Sequence, residues 1–369
     1  MTAQSVGSHA GSYPGIERER RIPYLRLEAL VAAIFRGCGC TEADATRLAE
    51  IIAGTDARGV HSHGVALVPT YARRLRAREV DPTARPKVSR DSGAALVVDG
   101  ANAMGHLALD VAMRATIDRA RSSGVASAAI GGSNHCGAMA YYAMLALPED
   151  MIGIVTTNGL PTMAPWGSRD RILSINPIAV AIPAGAERPI VLDTSFGAAA
   201  RSKIVIYQQK GERLPAGWAV DKDGNPTTDP AAALEGLIVP AGGHKGTGLA
   251  LIMGILSTAL SGALYGTVLG SLERGPVHGR DGQFAIALDV RAFEDVRVFK
   301  DRVDEIIREI HGSRPAPGFD RVLAPGEDSA ETEIEYRERG VPLNDVTLRQ
   351  LAETARACEV EADLVAEIT

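Results

Sequence analysis

The chain has 369 residues, a formal charge of −6, 46% hydrophobic residues and only 4% aromatic ones. That length permits two or three domains around a large core, whose volume must come mainly from Ala, Val, Leu and Ile. The acidic balance argues against a nucleic-acid or membrane-surface partner, because phosphate binding needs a basic patch.

Residues 1–20 lack a continuous apolar run, carry Glu17, Arg18, Glu19 and Arg20, and read as a disordered tail rather than a signal peptide. Leu27, Leu30, Val31, Ile34 and Phe35 recur at helical spacing and predict a first helix with one buried face. Thr41 opens a second, with Asp44 placed for a capping box and Leu48, Ile51 and Ile52 as its apolar stripe. It closes at Asp56-Ala57-Arg58-Gly59-Val60-His61-Ser62-His63-Gly64, and a third helix is expected over 65–78. Pro82 and Pro86 mark a linker. Beyond residue 90 the character changes. Short apolar runs at 95–100, 125–131, 152–158, 178–183 and 190–193 read as strands, with helical patterns around 105–122 and 137–147. This mix predicts an α/β or α+β domain with a largely buried sheet.

Residues 217–230 read as a loop or hairpin. The stretch 246–272 has no charged residue, is long enough to cross a bilayer, and spaces Gly262, Gly266 and Gly270 as GxxxG. Its Gly, Ser and Thr content and the lack of a second span favour a buried helix ending near Ser261-Gly262. A late strand at 284–289 follows, then a helix with the stripe Phe299, Val303, Ile306, Ile307 and Ile310. Last comes a helix capped by Asn344 with Leu348, Leu351 and Ala355. The four cysteines, Cys38, Cys40, Cys136 and Cys358, are scattered as in reduced cytoplasmic proteins.

Three glycine-framed histidine motifs carry the chemistry. Histidine has the side chain best suited to proton transfer near neutral pH, and glycine lets a ligand approach the backbone. Ser62-His63-Gly64 sits at a helix–loop junction. Ser133-Asn134-His135 follows an expected strand, where loops often hold ligands. Gly242-Gly243-His244-Lys245-Gly246 opens the uncharged helix and suits an anion. Each also has a plainer reading as a cap, a turn or a packing group. His61 and His63 could instead form an HxH metal pair in a hydrolase, if further ligands joined them. No G-x-G-x-x-G, Walker A, G-x-S-x-G or H-E-x-x-H occurs.

Taken in order, several blocks resemble the type-2 malate/L-lactate dehydrogenase family: Ser62-His63-Gly64, Ser133-Asn134-His135, Thr157-Asn158, Met163–Gly167, Asn176-Pro177, Asp193, Lys203-Ile204, Leu214–Trp218, Asp223–Pro230, Gly243–Gly246 and Pro325–Glu327. The resemblance spans about residues 22–360. It implies a non-Rossmann α/β fold, with a mostly antiparallel mixed sheet and flanking helices, in a homodimer. The helical domain would take residues 21–85 and 330–369. The sheet-containing cofactor-binding domain would take 86–329, with a helical subregion around 196–275.

The same resemblance implies NAD or NADP as cofactor, with NADPH favoured, and no metal. The substrate would be a small carboxylate, either a 2-oxo acid or a cyclic imine acid. It makes His63 the proton donor or acceptor, with Ser62, His135 and Asp193 beside it and Tyr71, Asn158 and Met163 near the substrate. Ile190, Leu192, Asp193, Thr194, Ser195, His244, Lys245, Gly246, Gly326, Glu327 and Asp328 would contact the cofactor. Asp193 is further expected to orient or charge one of the histidines. The chain departs from the family at Leu67, where many members carry an arginine for the substrate carboxylate. Simple malate or lactate is therefore not the expected substrate, and a redox-inactive member is the remaining alternative. Ser174-Ile175 also replaces the usual Gly-Thr.

Overall fold

The computed structural model describes residues 13–272 and 274–366. Its first elements are β1 (Arg20–Ile22), α1 (Tyr24–Gly37), α2 (Glu42–Ala57) and α3 (Val68–Arg76). The five apolar positions of the α1 stripe are completely buried, each worth about 1.5–3 kcal/mol. The α2 start follows from Thr41, whose hydroxyl oxygen accepts the Asp44 N–H at 3.3 Å. The third helix is shorter than expected. Residues 65–67 form a 3-10 turn, and α3 begins at Val68 with Pro69 in its first turn, where a missing N–H costs nothing.

Then come β2 (Lys87–Ser92), β3 (Ala95–Asp99), α4 (Gly105–Ser123), β4 (Val125–Ser133), α5 (Ala140–Met144), β5 (Met151–Thr157), β6 (Ile178–Ile182) and β7 (Ile190–Thr194). A smaller region holds α6 (Arg201–Lys210), β8 (Ala219–Val220), β9 (Pro226–Thr227), α7 (Pro230–Glu235), β10 (Leu237–Ile238), α8 (His244–Thr258), β11 (Gly270–Ser271) and β12 (Gly275–Pro276). The chain ends in β13 (Asp281–Asp289), α9 (Val296–His311), α10 (Glu327–Arg339), β14 (Val341–Leu343), α11 (Asp345–Ala357) and α12 (Ala362–Ala366).

The main sheet has the order β2-β3-β4-β13-β5-β6-β7. Only β3 and β4 run parallel, joined through α4; every other neighbouring pair is antiparallel. Open dinucleotide-binding sheets of the Rossmann type are mostly parallel, so this mixed sheet is a different solution. The late strand β13 fills the gap between β4 and β5. The strand β2 escapes the sequence reading because all six of its residues are exposed, leaving no apolar alternation. It closes one edge of the sheet, and β7 forms the other.

Three cores result. One joins residues 22–80 to 336–365, so both ends of the chain build the helical layer. The second lies between the sheet and α4, and the third surrounds Met163, Ile204 and Ala250.

Three expectations need correction. The tail was expected to reach residue 20, but Tyr13 is buried and β1 pairs with β14; residues 1–12 lie outside the described residues. Ile306 leaves the α9 stripe and stands exposed, while Val303 and Ile307 stay buried. Helix α8, uncharged from Gly246 onward, is buried on one side only, because Leu249, Leu251, Ile252 and Ile255 are exposed. Among the described residues, no helix is long and apolar enough to cross a membrane. All four cysteines are buried and free, with the sulfurs of Cys38 and Cys358 3.6 Å apart.

Candidate active site

The turn between α2 and α3 is built around a fully buried carboxylate. Asp56 Oδ1 meets His61 Nδ1 at 2.6 Å, and Asp56 Oδ2 accepts the Val65 N–H. Gly64 makes this possible: a Cβ there would lie 1.9 Å from Asp56 Oδ2. His61 packs edge-on to Tyr13 and stacks on Tyr336. Tyr13 Oη also accepts the Ser62 N–H at 3.2 Å. The turn is thus fastened at both ends before any ligand arrives.

His63 leaves this hub in another direction. Its Nδ1 meets Ser62 Oγ at 2.9 Å, and its ring lies nearly parallel to His135, with centroids 5.9 Å apart. The HxH metal reading is corrected by this divergence. His61 is engaged by Asp56 and two tyrosines, and among the described residues no group of three or more His, Cys, Asp or Glu side chains could hold a metal ion together.

His135 is held by Tyr71, whose hydroxyl lies 2.7 Å from Nδ1. The Gly137 N–H donates to the same Nδ1 at 3.4 Å. An atom accepting an N–H carries a lone pair, so neutral His135 bears its proton on Nε2 and Tyr71 donates. The strand-end loop is rigid because Asn134 donates to Asn102 Oδ1 and the Ala103 carbonyl and accepts from the Gly279 N–H.

A fourth ring, His106, was not singled out from sequence. It is completely buried at the start of α4, packs edge-on against Tyr71 at 5.1 Å, and has no partner for either nitrogen. Its only sequence signal is the glycine before it, at the head of a helix. Burial pushes the protonated forms of these rings out of reach at neutral pH: His63 falls to about 4, His106 to about 3, and His135 well below the ordinary value, the latter two also through the charge of neighbouring histidines. His63, the ring that lines the cleft, is therefore a neutral base at pH 7.

His63 and Ser62 form one wall of a cleft of about 520 Å³ between the helical layer and the edge strand β7. Leu192, Asp193, Thr194, Ser195, Gly326 and Asp328 form another wall. Residues 192–194 of β7 are exposed at the sheet edge, leaving backbone groups available to a ligand. Gly326 lets the α10 start approach β7 closely, since a Cβ there would lie 2.5 Å from the Val191 carbonyl. Lys203, set over the rings of Tyr13 and Trp218, brings a cation to the same space, as do Arg58 and Arg337. An elongated anionic cofactor fits these walls.

Several expected site residues do other work. Asp193 does not orient a histidine; its Oδ2 accepts the N–H groups of Met139 and Ala140 at 2.8 and 2.7 Å, capping α5. Crowding by the cleft walls raises its carboxyl, and those two N–H groups oppose the rise. Asn158 ties the Leu264 carbonyl to the Gly282 N–H, and Met163 is fully buried in the third core, so neither reaches the histidines. Ile190 packs beside Val303 and Ile307 of α9. Glu327 pairs with His311 at 2.8 Å and accepts the Ala324 N–H, turned away from the cleft. His244, Lys245 and Gly246 open α8 beside Trp166, outside the cleft lining. Leu67 is partly buried against the helical core.

A mixed sheet with one parallel pair, a histidine at a cleft, and a β7 edge suited to a cofactor define an α/β enzyme outside the Rossmann class. The chain belongs to the malate/L-lactate dehydrogenase family, whose model matches residues 22–352. It is 38% identical over 324 residues to the L-sulfolactate dehydrogenase of Methanocaldococcus jannaschii, covering 88% of this chain and 93% of that one. The solved structure of that dehydrogenase superposes with a TM-score of 0.84 at 35% identity, covering 93% of this chain and 99% of the other. A Delta(1)-pyrroline-2-carboxylate/Delta(1)-piperideine-2-carboxylate reductase of Pseudomonas putida is 34% identical over 344 residues, with 93% and 99% covered. A ureidoglycolate dehydrogenase (NAD(+)) of Escherichia coli strain K12 is 30% identical over 308 residues, with 83% and 88% covered.

Proposed function

We propose that this chain is an NAD(P)-dependent oxidoreductase that interconverts a 2-hydroxy acid and its 2-oxo acid, or reduces a cyclic imine carboxylate. The observation that carries the reading is the meeting of His63 with the cleft along β7 and Gly326. A bound nicotinamide supplies or accepts the hydride. Leu192–Ser195, Gly326 and Asp328 hold the cofactor, and NADPH is the favoured form, with Lys203 and the Glu333-paired Arg58 and Arg337 as the cations for an added phosphate.

His63 moves the proton. Ser62 Oγ fixes Nδ1, so Nε2 exchanges with the substrate oxygen or imine nitrogen. A ring that is neutral at pH 7 takes the hydroxyl proton during oxidation. His135, oriented by Tyr71, donates its Nε2 proton as a hydrogen bond to the substrate. Leu67 offers no charge, so simple malate and lactate are poor substrates. The purified protein should bind NADPH more tightly than NADH by fluorescence titration. With cofactor supplied, it should turn over sulfolactate or a pyrroline-2-carboxylate faster than malate or lactate. Absence of binding of either reduced cofactor would defeat the reading.

The functional unit is a homodimer in which a second copy covers the exposed row Leu249, Leu251, Ile252 and Ile255 of α8. An uncharged helix does not ordinarily present such a row to water. Ile252→Glu should halve the mass seen by sedimentation velocity; a wild-type monomer at micromolar concentration would sink this assignment. Four buried thiols without a disulfide fit a cytoplasmic setting, which cell fractionation would check.

A further inference from the structure

The face of α3 that looks toward the histidines poses a charge problem. Leu67, Tyr71 and Arg74 fall at i, i+4 and i+7 and share one side of the helical run from 65 to 76. Tyr71 binds His135, and the charge of Arg74, one turn further on, is felt by the same ring. Among the described residues, the Arg74 guanidinium makes no hydrogen bond and no ion pair, and its Nε is buried without a partner. The nearby acids are taken or distant. Glu79 pairs with Arg73 and His278. Asp281, buried at the start of β13, feels the Arg74 charge but forms no ion pair with it.

A half-buried guanidinium without an anion bears a desolvation cost that an incoming carboxylate relieves. We infer that Arg74 binds the carboxylate of the substrate, supplying the cation that Leu67 does not. Arginine meets a carboxylate through two parallel N–H···O bonds, which fixes orientation as well as charge. The carboxylate then lies on the Tyr71–His135 side of His63, about two helical turns beyond Leu67. That arrangement selects acids whose carbon frame is bulkier or longer than that of lactate.

This inference rests on the oxidoreductase reading above, and the test separates the two. Wild type, Arg74→Gln, Arg74→Lys and the relocated pair Leu67→Arg with Arg74→Gln are assayed with NADPH or NADP on sulfolactate, malate and pyrroline-2-carboxylate. Cofactor affinity is measured by fluorescence, and folding by circular dichroism. For the acid that wild type uses best, Arg74→Gln should raise KM by at least about tenfold, with cofactor affinity unchanged. Arg74→Lys should recover part of the loss, because a point charge lacks the fork. The relocated pair should recover KM without Arg74. A KM for Arg74→Gln within about twofold of wild type overturns the role of Arg74 alone. Wild type that binds cofactor but turns over none of the acids overturns the substrate reading and this inference with it.

Discussion

Replacing His63 by Asn should lower kcat by roughly 100- to 10,000-fold while leaving the dissociation constant of the reduced cofactor nearly unchanged. The reason is the role proposed for His63, which lines the cleft next to Ser62: Asn can hydrogen-bond but cannot titrate near neutrality. The pH dependence follows from the sign of the shift. Burial lowers the imidazolium to about 4, so above that value the ring is a base. Oxidation of the hydroxy acid, which needs the base, should have a kcat/KM that rises with pH through about 4 and then levels. Reduction needs the protonated ring, so its kcat/KM should decline as pH rises above about 4. Stopped-flow or steady-state rates from pH 4 to 9 in both directions check this. A variant retaining more than about a tenth of wild-type kcat would remove His63 from proton transfer.

Gly64→Ala should cost on the order of 3–5 kcal/mol of stability. A Cβ would sit 1.9 Å from Asp56 Oδ2, so the buried carboxylate must leave its place. It would then lose its bonds to the His61 ring and the Val65 N–H together. For a protein of this size the melting temperature should drop by about 10 °C. Gly54→Ala, in the middle of α2 with open space around the added methyl, serves as the contrast and should be neutral or slightly stabilising. If both variants melt within about 2 °C of wild type, the Asp56 hub does not fasten the turn.

Much of the fold was legible because periodicity reports burial. The α1 stripe and the apolar runs of β4, β5 and β6 each name the face that is removed from water. The strand β2 was silent because nothing covers it. The length of α5 was overread: apolar residues from 137 to 147 pack against the sheet, but only Ala140–Met144 are helical. Glycine framing led to His63 and His135, whose loops need close backbone approach. The same logic applied to Gly105-His106 would have found the ring behind Tyr71.

Side-chain roles were less legible than positions. Asp193 sits on the cleft wall, yet which N–H groups it caps depends on where α5 arrives from elsewhere in the chain. Neighbours in sequence also part company, since Asp328 lines the cleft while Glu327 turns to His311. Arg73 pairs with Glu79, and of the three arginines in α3 only Arg74 has a buried side-chain nitrogen without a partner.

Both ends of the chain close the helical layer. Arg20–Ile22 pair with Val341–Leu343, and Tyr336 stacks on His61. During synthesis the histidine turn therefore leaves the ribosome long before Tyr336, one of its supports, arrives. A nascent chain stopped short of residue 336 would carry His61, His63 and His135 and still lack the tyrosine stacked on His61.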